Sequence, residues 1–190
     1  VTGVQTCALP ILQATKTSLD SFVSVLMMEN KVVTKKVLER AGISVPGGYE
    51  YTSPEAGMAD YRLYTGKPVV IKPKSTNFGL GITILKHNYD ETDFKAALQI
   101  AFEHDNTVLI EKFIPGREFR IFIINDEVVG ILHRVPANVT GDGVLNIGQL
   151  IDRKNEDPLR GKGYRTPLEK IRKGREEEMF LKQQGMDFNT

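Results

Sequence analysis

The stretch Pro68–Gly81, PVVIKPKSTNFGLG, constrains this chain more than any other. Val69, Val70 and Ile71 are consecutive β-branched residues, which predicts a strand buried on both faces. Lys72 ends that strand and so places a cation at the edge of a sheet. Pro73 to Gly81 cannot extend it, because a proline, a run of small polar residues and two glycines read as a loop. Ile82–Leu85 then resumes as a strand. Strands joined this closely suit a mixed or antiparallel sheet better than a doubly wound parallel one.

The flanking segments supply the cover such a sheet needs. Asn30 can cap a helix to about Ala41, with Val33, Val37 and Ala41 at i, i+4 and i+8 and Gly42 as the stop. Ile43–Pro46 reads as extended. Ser53-Pro54 opens a second helix running to about Tyr64. Asp90–His104 is the clearest helix, with Phe94, Ala97, Leu98, Ala101 and Phe102 on one face and Asp90 or Thr92 as its cap. Thr107–Glu111 reads as a strand. Glu118–Ile124 and Glu127–Val135 form a hairpin around Asn125-Asp126. Gly174–Gly185 reads as a polar helix with a thin stripe of Met179, Phe180 and Ile171, and Met186–Thr190 as the start of a further strand.

Composition removes several function classes. Lys plus Arg is 25 against 24 for Asp plus Glu, a net charge of +1, so no overall field favours nucleic acid. The basic stretch Arg153–Arg175 has little aromatic interleaving and reads as a solvated loop. Apolar runs such as Phe22–Met28 and Ile121–Ile124 are too short to cross a bilayer. A single cysteine excludes a disulfide framework and a zinc ribbon. His87, His104 and His133 share no metal-ligand spacing. These features leave a soluble, intracellular globular protein, expected to be cytoplasmic, with no nucleic acid and no membrane as partner.

The two ends read differently from the rest. Residues 1–11, VTGVQTCALPI, carry no charge and fit neither a helical nor a strand period. They match the conceptual translation of a sequencing-library adapter, so they are expected to be an artefact, and Cys7 with them. Residues 12–28 then read as part of a linker or preceding domain. The other end breaks off without a stop signal, which suggests truncation.

Two segments carry chemistry. Lys72, followed by Ser75, Thr76 and Asn77 and by Gly79 and Gly81, offers a cation, polar donors and close backbone approach, a combination suited to polyphosphate. It is neither a Walker loop nor a dinucleotide fingerprint. On the loop alone, a phosphate site and a glycine-rich hairpin with a solvated lysine are equally consistent with the residues. The second segment, VLIEKFIPGREFR, places Glu111 at a strand end and Glu118 and Arg120 on one face of the next strand. Three such charges converging on one cleft would be unusual for pure structure, although a surface hairpin with solvated charges is the default for any one of them.

Four stretches then carry a resemblance: ENKVVTKKVLERAGISVPGG, KPVVIKPKSTNFGLGI, EKFIPGREFRIFII and RVPANVTGDGVLNIGQLI. From about Glu29 to Thr190 the chain resembles the front portion of an ATP-grasp domain, and more narrowly the synthetase domain of bifunctional glutamate–cysteine ligase/glutathione synthetase enzymes. The resemblance implies an α+β, ATP-grasp fold of two lobes with mixed and antiparallel sheets, residues 29–106 and an incomplete 107–190. It implies ATP as cofactor, with Lys31 and Lys72 on the phosphates and the loop of Ser75, Thr76, Asn77, Gly79 and Gly81 closing over them. Glu111 with the backbone of Lys112 and Ile114 would line the adenine slot, and Glu118 would hold the ribose. Arg134 would meet the transferring phosphoryl group or a substrate carboxylate as the catalytic residue.

The reaction so implied is ADP-forming ligation of glycine to γ-glutamylcysteine through an acyl phosphate. A fused upstream ligase domain is implied too, and a homodimer is left open. The family's ligands for Mg²⁺ or Mn²⁺ have no counterpart here, so no metal residue is assigned and the truncated chain is expected to be inactive alone. A cyanophycin synthetase-like or other ATP-grasp amino-acid ligase, or a non-catalytic nucleotide-binding module, are the alternatives.

Overall fold

The computed structural model describes residues 20–76, 79–86, 88–163 and 165–190. The adapter-like segment 1–11, Asn77 and His87 lie outside the described residues. Among the described residues, no helix is long and apolar enough to cross a membrane.

The described chain opens with helices α1 (Phe22–Glu29) and α2 (Lys31–Arg40), which share Asn30. Its side chain accepts from the backbone N–H groups of Val32 and Val33, capping α2. Gly42, at φ +75°, provides the expected stop. Strand β1 (Gly48–Tyr51) follows, a few residues later than the extended stretch expected at 43–46.

The single helix expected from Pro54 to Tyr64 is instead two, α3 (Pro54–Ala59) and α4 (Tyr61–Tyr64). They part at Asp60, whose carboxylate is committed to the Tyr51 hydroxyl at 2.8 Å. Next come β2 (Val69–Pro73), β3 (Thr83–Leu85), α5 (Glu91–Phe102) and β4 (Val108–Lys112). The hairpin β5 (Glu118–Ile124) and β6 (Glu127–Arg134) turns at Asn125 and Asp126, both with positive φ, as a two-residue hairpin loop requires. The chain ends with α6 (Ile147–Lys154), a short parallel pair β7 (Arg160–Gly161) and β8 (Leu168–Glu169), and α7 (Arg175–Lys182).

The main sheet has the order β1-β4-β2-β3 with every pair antiparallel. The fold is therefore α+β with antiparallel pairing, as the close strand spacing implied. β4 follows residue 106 yet pairs with both β1 and β2. The expected lobe boundary at 106/107 thus does not coincide with a break in the sheet. The break in pairing comes after Lys112, before the separate β5–β6 hairpin.

Register divides the sheet into two unlike faces. Tyr51, Val69, Ile71, Leu85, Val108 and Ile110 point to one side and pack on Phe94, Ala97, Leu98 and Ala101 of α5. Phe94 is fully buried and lies 5.2, 5.7 and 6.2 Å from the rings of Tyr61, Tyr64 and Tyr89. The other face carries Val70, Lys72 and Glu111. β2 is consequently buried on one side only, with Val70 and Lys72 half-buried, contrary to the burial expected on both faces. The second face is mixed: Leu109 is buried there, beside the charged Lys72 and Glu111.

α7 packs across the sheet's far edge. Leu181 is its buried residue and Met179 meets the core, while Phe180 is mostly exposed, so Leu181 takes the place expected for Phe180. Ion pairs Lys182–Asp93 and Arg175–Glu103 tie it to α5 and the turn that follows. Residues 186–190 form a turn, not the expected strand. The carbonyls of Thr190 and Phe188 accept from Ile147 and Gly148 at the start of α6. α6 was not expected, although Asn146 and Gln149 form a capping box visible in the sequence.

Two outcomes are expected. Gly48 sits opposite Glu111, where a Cβ would stand 2.2 Å from the Ile110 carbonyl oxygen and 2.7 Å from Glu111 Cα. Gly48→Ala must push β1 off β4 and should cost about 1–3 kcal/mol, read as a lowered urea midpoint. The second concerns pH. Burial raises the pKa of Tyr51 and Tyr64 and pushes Tyr89 up to about 12. Above the ordinary tyrosine value the folded state keeps protons that the unfolded chain releases, so stability falls as pH rises. Lys31, lowered by burial, acts in the opposite sense but is one group against three. The urea midpoint should hold to about pH 9 and fall beyond about pH 10.

Candidate functional site

Helix α2 crosses the polar face of the sheet and presents Lys31 and Lys35, four residues apart and therefore on one helical face. Beneath them, β2 supplies Lys72 and β4 supplies Glu111. Lys35 Nζ lies 2.8 Å from Glu111 Oε1, and Lys72 Nζ lies 2.5 Å from Glu111 Oε2. The Glu111 side chain is 3% exposed, so its charge is tenable only because both oxygens have a cation. Lys31 takes no part in this pairing. Its ammonium donates to the carbonyls of Pro73 at 3.1 Å and Thr76 at 2.6 Å.

These groups line a pocket of about 230 Å³ together with Met28, Thr34 and Pro46. Three ammonium groups face one carboxylate, which leaves the pocket net positive. The electrostatic consequence is visible at Lys31, whose pKa is lowered by burial first and by Lys72 second. A site of this kind binds an anion and relieves its own repulsion in doing so.

The expected phosphate loop borders this pocket. Gly79 and Gly81 both have positive φ, at +76° and +69°. A Cβ on Gly81 would meet His104 Cδ2 at 2.6 Å and Pro73 Cγ at 2.8 Å, so only glycine lets the loop close against its own base. Asp105 pins that base: its carboxylate accepts from the backbone N–H of Ser75 at 2.7 Å and of Thr107 at 3.0 Å. Burial works against the Asp105 charge, but these backbone donors hold its pKa below the usual carboxylate value. The Thr76 hydroxyl donates to the Leu80 carbonyl at 3.1 Å. Among the described residues, the loop's polar groups are thus engaged within the loop and with Asp105, Lys31 and Glu176. Asn77 lies outside the described residues.

The structure brings together Lys31, Lys72 and Glu111 of the expected set. Lys112 continues β4, its N–H donating to the Gly47 carbonyl at 2.8 Å, and Ile114 is exposed just beyond. Glu118 and Arg134 do not join this group. They face each other across the hairpin register and form an ion pair of 2.7 Å, both well exposed. Arg120 is exposed on the same hairpin. Convergence of Glu118 and Arg120 on Glu111 is therefore not seen: among the described residues, no hydrogen bond or ion pair links them. Among the described strands, the hairpin is paired only with itself.

Sequence reasoning missed Lys35 and Asp105. Lys35 was findable from its i+4 spacing to Lys31 on a capped helix. Asp105 was findable as an Asp two residues before Thr107, the spacing of an Asx turn. Part of the Arg153–Arg175 excess is spent in ion pairs, Arg153 with Asp142, Lys173 with Asp152 and Arg175 with Glu103.

A divalent cation does not suit this pocket. Its one carboxylate already binds two ammonium groups, and among the described residues no group of three or more His, Cys, Asp or Glu could hold a metal ion.

The chain is 58% identical over 180 residues to the glutathione biosynthesis bifunctional protein GshAB of Desulfotalea psychrophila, covering 95% of this chain and 23% of that protein. It is 53% identical over 180 residues to the GshAB of Clostridium perfringens, with the same coverage. Among solved structures, a bifunctional glutathione synthetase from Pasteurella multocida is 51% identical, with a TM-score of 0.42 and coverage of 92% of this chain and 23% of that one. The chain thus spans about a quarter of the length of the curated relatives it matches. Residues 49–147, just over half of the chain, match the family described as D-ala D-ala ligase C-terminus, and the chain belongs to that family of ATP-grasp ligases.

Proposed function

We propose that this chain is the nucleotide-binding part of an ATP-dependent, ADP-forming ligase that joins glycine to γ-glutamylcysteine. The observation that carries the reading is one pocket, beside a glycine loop, in which Lys35 and Lys72 pair with a buried carboxylate and Lys31 adds a third cation to the lining. The glutathione assignment is supported by the relatives' names and identity. The reading places an upstream ligase domain in the same polypeptide, a cytoplasmic setting, and metal ligands outside residues 1–190.

The chemistry suits such a site. A substrate carboxylate oxygen attacks the γ-phosphorus of ATP and ADP leaves, giving an acyl phosphate. The glycine amine then attacks the acyl carbon, loses a proton and expels phosphate, forming the C–N bond. The protein's work is positioning and charge neutralisation rather than covalent participation. In this reading Lys31 and Lys72 take the phosphates, and the Ser75–Gly81 loop keeps water from the acyl phosphate. Glu111 and the Lys112–Ile114 backbone meet the adenine, and Glu118 the ribose. Arg134 meets the transferring phosphoryl group or a substrate carboxylate, which requires its exposed pair with Glu118 to open. Exposed pairs are worth about 0–1 kcal/mol, so that opening is inexpensive.

A complete enzyme carrying this chain should release ADP only with both γ-glutamylcysteine and glycine present. ADP release driven by a different amino-acid pair would overturn the substrate assignment. In that enzyme Lys72→Ala should lower kcat/KM about 10²-fold or more, as for loss of one preorganised charge contact. An unchanged value would remove Lys72 from the phosphates. Glu118→Ala should mainly raise the KM for ATP, and a change confined to the KM for glycine would take Glu118 off the ribose.

A further inference from the structure

Lys35 is given no contact with nucleotide or substrate in the function proposed above, yet it holds one oxygen of Glu111 at 2.8 Å while Lys72 holds the other at 2.5 Å. Lys72 can meet a phosphate only by leaving or sharing this carboxylate. Glu111 is almost completely buried, and a buried carboxylate that loses its partner is strongly destabilised. If Lys72 were its sole cation, the pair would hold Lys72 back from any incoming anion.

Lys31 cannot relieve Glu111, because its ammonium is engaged by the carbonyls of Pro73 and Thr76. Lys35 can. It stands one turn further along α2, on a different element from Lys72, and its contact with Oε1 does not depend on where Lys72 points.

We propose that Lys35 is a positioning residue: it stays on Glu111 as a standing counter-ion, so that Lys72 is free to engage the phosphates of a nucleotide. The proposal rests on the nucleotide reading of this pocket. It makes Lys35 act through Glu111 and Lys72 rather than by touching the ligand. It also explains why one carboxylate is given two lysines at a site whose task is to hold an anion.

The test is a double-mutant cycle in the full chain, with the dissociation constant for ADP measured by titration calorimetry and adenosine as the phosphate-free control. Lys35→Met should weaken ADP about tenfold more than it weakens adenosine, the scale of a 1.4 kcal/mol change, any loss common to both reporting the contact of Glu111 with the adenine. Lys35→Arg should restore ADP binding. In a Glu111→Gln background, where no carboxylate restrains Lys72, Lys35→Met should have no further effect. A loss from altered packing would instead appear equally in both backgrounds and for adenosine, and that result overturns the proposal. Lys35→Gln, which keeps a polar group on the half-exposed helix, repeats the test if the Met variant fails to fold. Normal ADP binding by either variant overturns the role of Lys35 alone. A parent chain that binds neither ADP nor adenosine overturns the nucleotide reading and this proposal together.

Discussion

The pocket depends on one buried carboxylate. Glu111 sits in β4 between β1 and β2, on the sheet face that α2 covers, and each of its oxygens meets a lysine from a different element. A carboxylate in that position would be untenable alone. Its pairing with Lys72 orients the end of β2, and its pairing with Lys35 fixes where α2 lies over the sheet. The strand next to it must be slim, which is why Gly48 faces it. The same ion cluster therefore joins helix to sheet and leaves a positive excess beside the loop.

The two faces of the sheet divide the work. Phe94 and the tyrosines around it bury the apolar face against α5, and that packing holds the strands in register. The polar face then carries an ion cluster that ties α2 to the sheet and leaves an excess of positive charge. Lys31 illustrates the cost of this arrangement. Half-buried and beside Lys72, it holds its charge less readily than an ordinary lysine, and its ammonium rests on two loop carbonyls. An arriving phosphate offers Lys31 a stronger partner than those carbonyls. The loop whose conformation Gly79 and Gly81 permit is thereby tied to whatever occupies the pocket.

Much of the local structure was legible in the residues. Asn30 and Gly42 bracket α2, Asp90 caps α5, and Asn125-Asp126 turns the hairpin, because caps and turns are decided by side chains within a few positions of one another. Of the residues the sequence marks, Lys72 and Glu111 pair directly and Lys31 lines the same pocket with its ammonium on loop carbonyls. What escaped was the set of contacts made across the fold. Asp60 breaks a helix because of Tyr51 on β1. β4 belongs with β1 and β2 because of pairing that no local pattern records. Leu181 rather than Phe180 is buried because of where α7 meets β3 and α5.

The hairpin marks the limit of the same reasoning. Its turn sets Ile124 against Glu127 and Ile123 against Val128, and a one-residue bulge at Val129 then shifts the pairing so that Glu118 stands directly against Arg134. Period-two reasoning places two charges on one face of a strand, but it does not decide which other element that face meets. Here both faces of β5 and β6 are exposed, Ile121 and Ile123 on one side as much as Phe122 and Ile124 on the other. A strand apolar on both faces is built for cover on both faces. Nothing among the described residues provides it. The relation of Glu118 and Arg134 to the Glu111 pocket is consequently set by packing that the hairpin's own sequence does not contain. The pocket itself needs no such help, because each of its charged groups is held by an element of the main sheet or by the helix lying on it.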